Sequence, residues 1–202
     1  YASMIQSIEK YGGFYNGRYE LSNEGVQKEK ATLTNKNWYE LYKKCMTLNA
    51  SGKVETKMIW GIQWDLVCDF ISKKGEQKSI TNSTTWGNYS NSSGNAAVMD
   101  GETKKYGSKQ VTGFSEYWKA NNIYDLAGNC NEWSQEAGRN DFRMYRGSSY
   151  NSDGTSDSAP SDGHRNMRND FGIGGIGGIV ASTLRHSTYF NSKIERDIGK
   201  FV

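Results

Sequence analysis

Three cysteines, two histidines and a glycine-rich run are the residues of this 202-residue chain whose types could carry chemistry. Cys45, Cys68 and Cys130 are odd in number and show neither CxxC nor Cys/His metal spacing. They read as buried free thiols, each behaving as a small apolar side chain. Gly172-Ile173-Gly174-Gly175-Ile176-Gly177 matches the GxGxxG pattern of dinucleotide sites. That pattern needs a strand before it and a helix after it, so that the pyrophosphate sits on the helix N-terminus. Here residues 179–190 read as strand, and the run is expected to be a glycine-rich loop. His164 beside Asp162 or Asp170 could form an acid–base pair, but no motif sets a nucleophile beside it. Asp153, Asp157 and Asp162 could take calcium, yet no loop alternates acidic or amide ligands before a closing Glu. The expectation is no catalytic residue, no metal and no cofactor. Asn82, Asn88 and Asn91 fit N-x-Ser/Thr, a pattern common by chance in so Ser/Asn-rich a stretch, and carry little functional weight.

Any site must be positioned by an aromatic-rich core. The length suits one domain with a sizeable core. Hydrophobic content is 35%, but 13 Tyr, 7 Phe and 6 Trp supply large buried areas. A net charge of +3 without a basic run argues against a nucleic-acid partner. No apolar stretch is long enough to span a bilayer, so no membrane insertion is expected. The chain opens on Tyr1 rather than Met and reads as a processed or cloned piece, with export information upstream. Residues 2–10 alternate weakly, residues 12–20 read as a turn feeding a strand, and residues 22–34 as a charged surface loop. Asn37 should cap a helix to about Leu48, with Trp38, Leu41, Cys45 and Leu48 on one face. Met58-Ile59-Trp60 reads as a short strand. Trp64, Val67, Cys68 and Ile71 then repeat the helical stripe up to a Gly75 stop. Residues 79–115 read as long loop or weak hairpin, anchored by Trp86 and Tyr89.

Residues 122–133, Asn-Ile-Tyr-Asp-Leu-Ala-Gly-Asn-Cys-Asn-Glu-Trp, are spaced wrongly for a helical stripe and too irregularly for a long strand. They suit a buried loop whose side chains satisfy backbone groups beyond any sheet ladder. Asn122-x-x-Asp125-Leu126-x-Gly128-Asn129-x-x-Glu132-Trp133, then Arg146-Gly147-Ser148, resembles the core signature of the formylglycine-generating-enzyme (sulfatase-modifying factor) superfamily. There a "GNVWEW" loop precedes an "RGGSW" strand; Cys130, Asn131 and Ser148 are departures from it. The resemblance implies an α+β, C-type-lectin-like fold of the formylglycine-generating-enzyme type. That fold packs two helices on twisted antiparallel strands with extensive loops, and would span residues 1–202 as a single domain. In catalytic members a cysteine pair just after the "RGGSW" strand binds copper, but residues 150–161 hold no Cys. The branch that transfers sulfur to histidine-derived metabolites needs a His-rich iron site, and this chain has only His164 and His186. The resemblance therefore implies a non-enzymatic member.

Composition breaks sharply along the chain. Before Ala137, Lys, Glu, Gln and Trp make up more than a quarter of residues; from Ala137 to Ser192 none of the four occurs. Turns disfavour Lys and Glu, but complete absence over this length needs more than turns. Randomising Asn codons at their adenines reaches Tyr, Ser, Asp, Gly, His, Phe, Ile, Thr, Ala and Asn. Lys, Glu, Gln, Trp, Met and stops stay unreachable. In this respect the chain resembles the variable proteins of diversity-generating retroelements, whose C-terminal segment is rewritten in that way. Residues 1–136 would be scaffold and about 137–192 the variable, ligand-binding segment. Met144 and Met167 would be fixed positions, while Arg146, Pro160 and Arg185 would be structural. The Tyr, Ser, Gly, Asn and Asp content suits an adaptable paratope. The expected ligand contacts are Tyr150, Asn151, Ser152, Asp153, Ser156, Asp157, Asp162, Gly163, His164, Asn169, Asp170 and Phe171. The expected partner is a surface protein or glycan, met at the extracellular face of a phage, prophage or bacterium. The alternative is a catalytically dead structural or accessory domain of the same superfamily.

Overall fold

Met4, Ile8 and Tyr11 recur at helical spacing, and Ala2–Tyr11 forms helix α1 rather than the weakly alternating segment expected. Met4 is buried and Ile8 packs on the main core. Gly12 closes the helix in the left-handed region, its N–H donating to the Ile8 carbonyl at 2.7 Å. The structure, a computed structural model, describes residues 1–48, 54–98, 104–138, 141–155, 166–169 and 176–184. Among them are three α-helices, one more than expected, and four small sheets. The molecule is a mixed α+β fold. None of the described helices is long and apolar enough to cross a membrane.

The second helix, α2 (Trp38–Met46), follows its sequence signals. Asn37 Oδ1 accepts from the Glu40 N–H, and Glu40 Oε2 accepts from the Asn37 N–H, both at 3.0 Å. Trp38, Leu41 and Cys45 face inward. Helix α3 (Gly61–Lys73) buries Trp64, Val67, Cys68 and Ile71, and Gly75 follows in the left-handed region. All three thiols are free and buried.

Strands β1 (Tyr15–Asn16), β4 (Val54–Met58) and β11 (Val180–Leu184) form one antiparallel sheet in the order β1-β11-β4. A second sheet joins β7 (Asn131–Ala137), β8 (Phe142–Arg146), β9 (Asn166–Asn169) and β10 (Ile176–Gly178) in the order β10-β7-β8-β9. Only the β10–β7 pair in it is parallel. The glycine-rich run thus becomes strand from Ile176 onward and leads into another strand, not a helix. Its residues 172–175 lie outside the described residues. Strands from the Lys-free segment are woven into both sheets against β7, β4 and β1, so segment and scaffold share one framework.

The region expected as a charged surface loop instead starts with the hairpin β2 (Leu21–Ser22) and β3 (Gly25–Val26). It continues through a Ser22–Thr32 bridge to the buried Leu33. Its charged run is flanked by buried Leu21, Ser22, Thr32 and Leu33, which a composition average conceals. Residues 79–98 are irregular, with Trp86 and Tyr89 fully buried as anchors. Of the stretch 122–133 expected as a buried loop, residues 125–130 are loop and residues 131–133 already belong to β7. A two-residue strand pair, β5 (Lys119–Ala120) with β6 (Ile123–Tyr124), leads into it, and Leu126, Ala127 and Cys130 are buried. A bridge between Asn88 and Gly128 ties this loop to residues 79–98.

Candidate ligand-binding site

The end of β8 decides where the following turn can go. Arg146 is 1% exposed; its Nε donates to Glu136 Oε2 at 3.1 Å, and its Nη2 lies 3.0 Å from Glu136 Oε2 and 3.2 Å from Asp65 Oδ1. The strand is thereby fastened to α3 through Asp65. Gly147 follows with φ +66°, where a Cβ would stand 2.6 Å from Glu132 Oε2 and 3.2 Å from the Trp64 ring. Glycine suits this backbone on both counts. Ser148 is buried behind it.

The chain then makes a turn over residues 149–155. The Ser152 N–H donates to the Ser149 carbonyl at 2.9 Å, and Ser149 Oγ donates to Asn151 Oδ1 at 2.6 Å. The Tyr150 N–H donates to the Asn129 carbonyl at 3.0 Å. Ser90 clamps from the other side, its N–H and Oγ donating to the Ser152 carbonyl at 3.0 and 2.9 Å. Asn91 bridges two residues at once. Its Nδ2 donates to Asp153 Oδ1 at 2.7 Å, and its Oδ1 accepts from the Gly154 N–H at 2.9 Å. The Ser83 N–H reaches the Gly154 carbonyl at 2.9 Å. A Cβ on Gly154 would stand 2.5 Å from the buried Tyr89 ring, so turn and scaffold touch with no slack.

Tyr150, Asn151, Ser152 and Asp153 therefore come together on one pinned turn. Asn151 and Asp153 are exposed, and Tyr150 and Ser152 half-buried. The Asp153 carboxylate is already engaged, because Thr155 also donates to it through its N–H and Oγ. Those donors and Asn91 hold its pKa below the ordinary carboxylate value. It serves first to shape the turn. Asn169 is placed on β9 directly across from Phe142. Ser156, Asp157, Asp162, Gly163, His164, Asp170 and Phe171 lie outside the described residues, as do Pro160 and Arg185. Sequence reasoning missed Ser90 and Asn91, whose partners are 62 or 63 residues away. A sequon at Asn91 was the only local signal there.

Beneath the turn lies a group of buried acids. Glu20, Asp125 and Glu132 are each fully buried. Glu20 accepts from Thr32 Oγ1 (2.6 Å), Asn129 Nδ2 (2.7 Å) and the Cys130 N–H (3.2 Å). Asp125 Oδ2 accepts from the Gly113 N–H at 2.6 Å. Neither Glu132 oxygen meets a nitrogen or hydroxyl donor; the group it contacts is the Glu20 carboxyl. Burial raises the pKa of all three; the Asp125 carboxyl adds to the rise at Glu20, and the Glu20 and Asp125 carboxyls add to it at Glu132.

Burial likewise pushes the Cys45 and Cys68 thiols up to about 12, and the Cys130 thiol well above its ordinary value. Thiols in that state are neutral and inaccessible, and so poor nucleophiles and poor metal ligands. Among the described residues, no three His, Cys, Asp or Glu side chains are grouped to hold a metal ion.

These features define a mixed α+β protein whose irregular scaffold presents a fastened surface turn. Solved structures of similar shape include PvdO from Pseudomonas aeruginosa, with a TM-score of 0.51 at 14% identity, covering 89% of this chain and 76% of that one. They also include Treponema denticola variable protein 1, with a TM-score of 0.49 at 14% identity, covering 88% of this chain and 80% of that one. At such identity the likeness to PvdO is one of fold. No protein-family model and no curated protein matches the sequence.

Proposed function

We propose that this chain is a non-enzymatic ligand-binding protein, with a C-type-lectin-like fold of the formylglycine-generating-enzyme type. Its segment of about residues 137–192 is diversified by a retroelement. It acts as a receptor-binding protein at a virion or bacterial surface, and its ligand is a surface protein or glycan. The observation that carries this reading is the loss of Lys, Glu, Gln and Trp from Ala137 to Ser192. Two structural facts support it. Met144 and Met167, which adenine randomisation of Asn codons cannot produce, are cross-strand partners within β8 and β9, where constant residues belong. Three of the contacts fastening the turn at 149–155 to the scaffold run from backbone to backbone, and these survive a change of side chain.

The test is to sequence the DNA flanking the gene. The expected result is a nearby imperfect copy of the segment encoding residues 140–190, mismatched at adenines of the copy, together with a reverse transcriptase gene. Absence of both would leave the compositional break as a polar-loop bias and favour an accessory domain.

A further inference from the structure

Two carboxyls in contact inside a protein hold together only when one of them carries a proton or a cation lies between them. Glu20 and Glu132 are such a pair, both fully buried. Glu20 has its donors from Thr32, Asn129 and Cys130, all suited to an ionised carboxylate. Glu132 has none among nitrogens and hydroxyls. As an ionised group it would be a buried charge without compensation, which costs several kcal/mol. As a protonated acid it donates to Glu20 and both groups are satisfied.

We propose that Glu132 carries a proton shared with Glu20, and that this proton locks the turn at residues 149–155 to the scaffold. The mechanical path is short. Asn129 Nδ2 donates to Glu20, and the carbonyl of the same residue accepts the Tyr150 N–H. On the other side, Gly147 lies against Glu132 Oε2, so the chain enters the turn over the carboxyl itself. When the proton leaves to solvent, two buried carboxylates repel. Relief requires water to enter between β7, the loop before β2 and the start of the turn. The other ionisable groups facing the pair do not neutralise it. Asp125 is a third buried acid with a raised pKa and supplies no positive charge, Cys130 and Tyr89 are neutral with raised pKa values, and Lys109 is the cation felt at Cys130.

The sign follows from the direction of the shifts. A carboxyl whose folded pKa lies above its unfolded one binds the proton more tightly when folded, so folding is favoured at low pH. That contribution is complete below the ordinary value of 4.5 and is lost as pH rises through the raised folded value of Glu132.

The link to ligand binding rests on the function proposed above; the proton does not, and its test needs no ligand. The full chain, in chelator-containing buffer, would be melted at intervals from about pH 5 to about pH 9. In parallel, infrared spectra would be taken on protein labelled with side-chain carboxyl ¹³C-glutamate. The expected result is a melting temperature that falls across this range, with a label-shifted band of a protonated carboxylic acid near pH 6 that is absent near pH 9. Glu132→Gln, whose amide can still donate to Glu20, should lose the band and most of the pH slope. Should that variant not fold, the slope and the labelled band of the wild type decide alone. Amide exchange near pH 9, corrected for intrinsic base catalysis, should show more protection lost at residues 149–155 than in α2. A flat or rising melting curve without the acid band overturns the proposal. So does a missing acid band combined with calcium raising the melting temperature, which would place a cation between the carboxyls. Uniform loss of protection overturns the coupling to the turn.

Discussion

Gly147→Ala tests the central packing claim, that β8 enters its turn across the Glu132 carboxyl. Two costs add at this position. The backbone lies at φ +66°, where an L side chain costs about 1–2 kcal/mol. The new Cβ would also stand 2.6 Å from Glu132 Oε2 and 3.2 Å from the Trp64 ring, and both of those residues are fully buried and unable to swing away. Overpacking of this kind costs about 1–3 kcal/mol. The sum is about 2–5 kcal/mol, a large share of the stability of a typical domain. Gly12→Ala is the internal control. Gly12 has φ +82° with nothing within 4 Å of a new Cβ, so only the backbone cost applies there, about 1–2 kcal/mol. Urea unfolding of both variants near pH 6, read at constant m-value, separates the contributions. If Gly147→Ala is no more destabilised than Gly12→Ala, Gly147 does not lie against Glu132 and Trp64 as described.

Other perturbations follow from named contacts. Asn91→Ala removes that side chain's two contacts with the turn, and amide exchange at Gly154 and Thr155 should accelerate at least tenfold while α2 stays protected. Arg146→Ala strips Glu136 and Asp65 of their shared cation and empties a fully buried volume. Roughly 3 kcal/mol should be lost in chemical denaturation, with part recovered by Arg146→Met, which refills the space. The hydrogen bonds from Lys119, Lys28 and Tyr124 hold the Glu116 carboxyl down at about 2. Its contribution is therefore present above the ordinary 4.5 and lost as pH falls towards 2. Because Glu116 and Lys28 are well exposed and Lys119 partly so, Glu116→Gln should cost under about 1 kcal/mol at neutral pH, less still in high salt.

Elements built from local periodicity were legible in the sequence. The Trp38–Leu41–Cys45 stripe behind the Asn37 cap gave α2, and the Trp64–Val67–Cys68–Ile71 stripe gave α3. Helix α1 was not legible, since Met4 is its only buried residue and the partly buried Ile8 and Tyr11 extend the stripe over barely two turns. Residues 122–133 could be read as buried loop because Asn, Asp and Gly are interleaved there with apolar side chains. What they bind was not readable. Glu20 belongs to the same cluster as Asn129 and Cys130 but is 109 and 110 residues distant, and no spacing rule spans a loop. The same holds for the clamp on the candidate site. Its residue types were visible, but the partners Ser83, Ser90 and Asn91 sit in a stretch that looked like filler.

The geometry of the turn also limits which of its positions can vary. Tyr150 and Ser152 are fastened through backbone atoms, to the Asn129 carbonyl and by Ser90 respectively, so their side chains can change without releasing the turn. Asn151 is exposed and accepts only from Ser149 within the turn itself. Asp153 is different, since its side chain receives Asn91 and both donors of Thr155. Gly154 is more restricted still, because its Cβ would enter the Tyr89 ring, which is fixed by burial and by the Ser83 Oγ–Tyr89 Oη hydrogen bond. In a library randomised over residues 150–154 and sorted for folded protein, positions 150, 151 and 152 should accept most residues. Position 153 should retain short acceptors such as Asp or Asn, and position 154 should return glycine almost alone. Free substitution at 154 would mean that the turn does not rest on Tyr89. Strict selection at 150–152 would mean that those side chains hold the fold together, leaving nothing there for a changing ligand to read.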